Sequence, residues 1–181
     1  APSTAAQISF VAALAIRDAI AQFLPDGKVA QLKWPNDVLV NQKKIAGILL
    51  ESHLAGGNDL DWLVVGTGVN IGSFPDQVER PATSLQELGS DVSVPHYLEA
   101  YATHMLSWYR QWQEDGFVVI RQSWLEHAWG QGGPVEVRLG KETFQGVFVD
   151  LDETGALVVS TPGGSRLVSA GDVFPLTEGA S

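Results

Sequence analysis

Three short segments hold the residue types that could do chemistry. The first is Lys33-Trp34-Pro35-Asn36-Asp37. Pro35 fixes its own φ and pushes Trp34 toward extended geometry, which leaves Asn36 and Asp37 on a stiff corner one step from the Lys33 cation. Taken alone, Asn-Asp after proline reads as a turn. The second is Lys43-Lys44-Ile45-Ala46-Gly47-Ile48-Leu49-Leu50-Glu51, an almost wholly apolar strand entered by lysines. Glycine weakens a strand, so Gly47 suggests a close approach by a small flat ligand. A solvated hairpin lysine beside a β-bulge explains the same residues equally well. The third is Gly66-Thr67-Gly68-Val69-Asn70. It looks like half of a glycine-rich phosphate loop, but no helix follows in the right register, so it is weak evidence for a dinucleotide. Paired glycines in a strand again suggest a ligand pressed against backbone, with Asn70 offering both a donor and an acceptor.

These segments need elements to position them. Residues 3–24 read as a helix, capped by Ser3 or Thr4, with Ile8, Val11, Ala12, Ala15, Ile16, Ala19 and Phe23 at three- and four-residue steps. Strands are expected at Val29–Lys33, Val38–Val40, Ile45–Glu51 and Trp62–Ile71, with a turn at Asn41-Gln42-Lys43 and a polar loop over His53–Asp61. Residues 72–94 look irregular. A long helix then opens at Pro95 and closes at Gly116, its buried stripe supplied by Leu98, Tyr101, Met105, Trp108, Tyr109 and Trp112. A third helix is expected from about Phe117 to Trp129.

Gly130-Gln131-Gly132-Gly133-Pro134 marks a boundary, after which the apolar period becomes two. Turns at Gly140-Lys141, Asp152–Gly155 and Pro162–Gly164 divide the C-terminal stretch into five short strands. The fold class expected is α/β (α+β): a mixed, largely antiparallel sheet covered by helices over residues 1–130, with a small C-terminal SH3-like β-barrel over 131–181.

Composition narrows the function classes. Charge is −10, from 11 Lys plus Arg against 21 Asp plus Glu, which disfavours nucleic acid as a partner. There is no cysteine, so disulfide, thiolate-metal and thiol-nucleophile chemistry are excluded. That composition suits a reducing cytoplasm, and no apolar run has the length of a membrane span. The four histidines, His53, His96, His104 and His127, form no cluster with ligand spacing and read as surface or core residues.

In order and spacing, Lys33–Asp37, Lys44–Glu51 and Gly66–Asn70 together resemble the central signature of bacterial biotin protein ligases. The Ala82-Thr83-Ser84-Leu85 stretch and the small C-terminal barrel fit as well. The resemblance implies the class II synthetase-like biotin/lipoate ligase fold and a two-step reaction using ATP and Mg²⁺. Biotin is activated to biotinyl-AMP, then passed to a lysine of a biotin carboxyl carrier protein. By position, Lys44 would be the catalytic charge stabiliser facing the biotin carboxylate and α-phosphate. Lys33, Asn36, Asp37 and Asn70 would bind the nucleotide, with Asp37 also able to hold metal-bound water. Gly47, Leu49 and Gly66 would wall the biotin chamber with Lys44. Family members often pair through this sheet, so the resemblance allows a homodimer without fixing the oligomeric state.

The family's upstream strands and Gly/Arg-rich loop, which grip biotin, match nothing in these residues. Arg17, Arg80, Arg110, Arg121, Arg138 and Arg166 are isolated. The expectation is a fragment with an exposed sheet edge. Three alternatives therefore stand beside the ligase: a non-catalytic ligase-like binding module, a lipoate-type ligase or transferase, and an oligomerisation module.

Overall fold

The computed structural model describes residues 2–54, 60–75 and 80–176, with side chains from residue 6 onward and excepting residue 54. Helix α1 spans Pro2–Ala21. Val11, Ala12, Leu14, Ala15 and Ile16 are fully buried, so the helix is apolar around most of its circumference. Only a helix packed on several sides is built that way. Here the sheet lies against one side and two later helices against the other. The helix ends three residues before the expected Leu24, because the chain tightens at Phe23 (N–H to Ile20 O, 3.0 Å) and turns through Gly27, φ +80°. The expected Ser3 or Thr4 cap lies outside the described side chains.

Four strands come next: β1 (Ala30–Lys33), β2 (Asp37–Val40), β3 (Lys43–Leu54) and β4 (Leu60–Val69), all antiparallel in the order β1-β2-β3-β4. β2 and β3 are joined by two residues, Asn41 (φ 51°) and Gln42 (φ 62°). Left-handed backbone at both positions is what a two-residue hairpin needs to match strand twist. β3 and β4 run further toward each other than expected, pairing His53 with Trp62. Beyond β4, the Ala82-Thr83-Ser84-Leu85 stretch folds inward. Thr83 and Leu85 are fully buried and Ser84 nearly so.

Helix α2 (Val94–Asp115) is capped by Ser93, whose Oγ accepts from His96 N–H, and is closed by Gly116, φ +76°. Its contact stripe differs from the expected one: Tyr97 is buried, Tyr101, Met105, Trp108 and Trp112 are half-buried, and Leu98 and Tyr109 are exposed. The indoles set the rotation. Trp108 Nε1–H donates to Asp18 at 2.8 Å and Trp112 Nε1–H to Gln7 at 3.0 Å, turning Leu98 and Tyr109 away from α1. Helix α3 (Phe117–Glu126) stops short of Trp129 because the next residues add to the edge of β1. Leu32 N–H donates to His127 O and Trp129 N–H to Leu32 O, each at 2.8 Å.

The remaining strands are β5 (Pro134–Arg138), β6 (Thr143–Leu151), β7 (Leu157–Thr161), β8 (Gly164–Val168) and β9 (Asp172–Pro175). They form the five expected antiparallel strands in the order β8-β7-β6-β5-β9 around buried Val135, Val137, Phe148, Leu157, Val159 and Val173. Among the described residues, no ladder joins β8 to β9, so they are the two edges of this sheet. This unit is fastened to the first at the turn before β7. Trp34 Nε1–H donates to Gly155 O at 3.1 Å, and Arg121 Nε–H to Leu151 O at 2.6 Å.

Candidate functional site

The site forms where β2, β3 and β4 lie side by side. Asp37, on the central strand of the three-strand set β1-β2-β3, pairs across the ladder with Lys33 on one side and Gly47 on the other. The register between β2 and β3 shifts after Val38: Ala46 faces Val38, but Lys44 faces Leu39, so Ile45 is an extra residue. In an unbroken strand, residues 44 and 47 would point to opposite faces. The bulge corrects the parity, and Lys44 folds over Gly47, where a Cβ would lie 3.0 Å from Lys44 Nζ. The bulge read from the sequence is present, and the group that approaches Gly47 here is the amine of Lys44.

The bulge is held by backbone. Asn70 N–H donates to Ile45 O (2.8 Å), Lys44 N–H to Pro81 O (2.8 Å) and Thr83 N–H to Lys44 O (2.9 Å). The 81–85 stretch thus acts as a brace for Lys44. A cavity of about 690 Å³ opens beside it, lined by Asn36, Asp37, Lys44, Gly47, Gly68 and Asn70 among others. Each asparagine spends its amide N–H on a main-chain carbonyl: Asn36 on Ile48 O (2.7 Å), Asn70 on Thr83 O (2.9 Å). Each keeps a second amide N–H and its side-chain carbonyl beyond that bond.

Electrostatically the centre is Asp37, buried to 5% exposure. Its Oδ1 lies 2.5 Å from Lys44 Nζ; its Oδ2 lies 3.6 Å from Arg80 and 3.9 Å from Lys33. Lys44 is 41% exposed and reaches solvent from this anchor. Lys33 is buried, and among the described residues its Nζ has no hydrogen-bond partner. Burial, then the Arg80 charge, push its pKa down to about 8, against an opposing pull from Asp37. It lines not the main cavity but an adjoining one of about 450 Å³, with Arg80, Trp129 and Phe174.

Of the expected site residues, the fold gathers Lys44, Asn36, Asp37, Gly47 and Asn70 around one cavity. Leu49 and Gly66 are a cross-strand pair two positions further along the ladder than Gly47 and Gly68. They are on the same face but do not line that cavity; both are exposed, and Leu49 borders a separate hollow against Trp34 and Gly155. On β4 the glycine that lines that cavity is Gly68. No residue of the C-terminal strands was expected in the site, yet Asp172 of β9 lines the cavity and binds Arg80 at 2.9 Å. Arg80 read as an isolated arginine. Its place just before the Pro81–Leu85 brace was the available signal. Among the described residues no three metal-ligating side chains cluster. Both Asp37 oxygens face cations, so the residues do not fit a protein-ligated Mg²⁺.

Residues 1–126 match the Biotin/lipoate A/B protein ligase family, and residues 132–174 match the Biotin protein ligase C terminal domain. The chain is 42% identical to the biotin–[acetyl-CoA-carboxylase] ligase of Paracoccus denitrificans over 94% of its own length and 73% of that protein's. It is 30% identical to the bifunctional ligase/repressor BirA of Bacillus subtilis, covering 92% of this chain and 52% of that one. Among solved structures, biotin protein ligase from Aquifex aeolicus superposes with a TM-score of 0.77 at 26% identity, over 94% of this chain and 74% of that one. The same enzyme in complex with biotin and ATP superposes at 0.76 and 26%, over 93% and 70%. Both the helix-covered sheet and the C-terminal sheet are thus matched, and the chain belongs to the biotin protein ligase family.

Proposed function

We propose that this chain is a biotin–[carboxylase] ligase, with ATP and biotin as its substrates. The observation that carries this is Lys44: a half-exposed amine bent over Gly47 and anchored to a buried carboxylate at the wall of an open cavity. In the first step a carboxylate oxygen of biotin attacks the α-phosphorus of ATP, the bond to the β-phosphate breaks, and pyrophosphate leaves. In the second, the ε-amine of a carrier lysine attacks the acyl carbon, an amide forms, and AMP leaves with loss of a proton. Negative charge builds at one point in both steps, so a fixed cation there lowers both barriers. Lys44 supplies it. Asn36 and Asn70 each keep a second amide N–H and a carbonyl that suit the polar edges of a nucleotide, and Lys33 lends positive charge to the adjoining hollow. Gly47, with Gly66 further along the same face, leaves the sheet low enough for biotin's flat rings, and exposed Leu49 offers them an apolar contact. Mg²⁺ would arrive with the nucleotide phosphates, which it binds well.

The acceptor is a biotin carboxyl carrier protein domain of a carboxylase. The matched C-terminal unit favours biotin over a lipoate-type substrate. The units 1–130 and 131–181 are two domains meeting at the Gly130–Gly133 link. A second copy would pair through the sheet, where β4 is the edge strand. No described helix is long and apolar enough to cross a membrane, and a cytoplasmic setting fits the absence of cysteine.

Biotin-dependent ATP–pyrophosphate exchange tests the reading, run on the protein in its natural reading frame. Lys44→Ala should lower the exchange rate by ~10²-fold or more while leaving the circular dichroism spectrum unchanged. Parent protein that binds ATP but exchanges no label would sink the ligase assignment in favour of a binding module.

A further inference from the structure

Asp37 meets three cations with two oxygens, and Arg80 is the one held from outside. One guanidinium nitrogen of Arg80 lies 3.6 Å from Asp37 Oδ2 and the other 2.9 Å from Asp172 Oδ1 on β9. Its Cζ sits 4.5 Å from the Phe174 ring centroid, and Arg138 stacks on the same ring at 4.0 Å. A guanidinium can bridge two carboxylates while lying on an aromatic face; an ammonium cannot do so as well. The arrangement bears on Lys44. Drawing Lys44 away from a buried carboxylate is costly if it leaves that charge unpaired. With Arg80 in place, Asp37 keeps a partner when Lys44 turns to an anion in the cavity.

We propose, building on the ligase reading, that Arg80 is a positioning residue: clamped by Asp172 and Phe174 of β9, it neutralises Asp37 and so frees Lys44 for the substrate anion. This gives the C-terminal sheet a part in the reaction without contact with the reacting atoms. It also explains why a buried aspartate is surrounded by more cations than it has oxygens.

The test is steady-state biotin-dependent exchange by the protein in its natural reading frame, with thermal midpoints as the control for folding. Arg80→Gln should lower kcat about tenfold while the KM values for ATP and biotin move much less. Arg80→Lys, which keeps the charge but not the two-sided bridge, should recover part of that loss. Asp172→Asn should lower kcat in the same direction by about threefold, and combining it with Arg80→Gln should add nothing, since Asp172 acts through Arg80. The inference is overturned if folded Arg80→Gln turns over like the parent. It is equally overturned if the exchanged pair Arg80→Asp with Asp172→Arg restores parental kcat, because Arg80 would then be only a staple between sheets. Absence of exchange in the parent protein itself would instead remove the ligase reading on which this rests.

Discussion

Lys44 and Gly47 are a single device. A methyl group at position 47 would sit 3.0 Å from Lys44 Nζ and 3.1 Å from its Cε, both at the movable end of a long side chain. Gly47→Ala should therefore leave the thermal midpoint almost unchanged, since Lys44 can yield, while lowering exchange on the order of tenfold by displacing the amine. A fall in stability that matches the loss of activity would show that Gly47 serves the strand and not the lysine. Lys33 makes a separate prediction. Its pKa falls from the ordinary 10.5 to about 8 in the fold, so folded protein binds fewer protons at this group than unfolded chain between those values. Stability therefore rises with pH across that window, and the penalty of burying the cation is fully present below pH 8. Lys33→Met should raise the unfolding midpoint at pH 7, with the gain shrinking from pH 8 toward 10.5 and with ATP use impaired. A gain independent of pH would mean that packing, not charge, explains it.

At the scale of elements, the β2–β3 hairpin sets the register that the site depends on. Asn41 tolerates its left-handed backbone; Gln42, at φ 62°, does so at a cost. Gln42→Gly should stabilise the protein by about 1 kcal/mol, read from urea midpoints at constant m-value, with exchange unaffected. A destabilised variant would show that the Gln42 side chain, or the stiffness it gives the turn, matters more than backbone strain. The helices were legible from their apolar steps and from Pro95 and Gly116, but the rotation of α2 was not. Leu98 and Tyr109 fit the expected stripe by spacing, yet Trp108 and Trp112 turn the helix so that their N–H groups reach Asp18 and Gln7. An apolar stripe wide enough to include six candidates leaves the angle to such polar partners.

On the scale of the molecule, the C-terminal sheet is seated by a turn. Asp152 Oδ1 accepts from Thr154 N–H, Thr154 Oγ–H and Ala156 N–H, which presents Gly155 to α1. A Cβ at Gly155, φ +88°, would come 2.5 Å from the Phe10 ring, and that ring packs edge-on against Phe117 and Trp124. Gly155→Ala should cost about 1–3 kcal/mol in global unfolding from overpacking and backbone strain. It should also lower exchange if seating β9 matters for Arg80. A variant as stable as the parent would show that the two units meet more loosely than the Phe10 contact implies.

By itself the sequence determined the elements and the change of apolar period after Gly130, and it marked three segments rich in lysine, amide and glycine that the fold brings side by side. Those properties are local: apolar period, turn residues, glycines in strands and the spacing of lysines and amides. It also pointed to Lys44, Asn36, Asp37, Gly47 and Asn70, which the fold does gather. Three things only the tertiary structure decided. The parity that brings Lys44 onto the face of Gly47 comes from one extra residue, Ile45, and a bulge is a property of two paired strands rather than of one. The choice of Gly68 over Gly66 as cavity lining depends on how far along the ladder the cavity lies. The entry of Arg80 and Asp172 into the site joins residues separated by most of a domain, through charges whose partners are settled only when the second sheet docks.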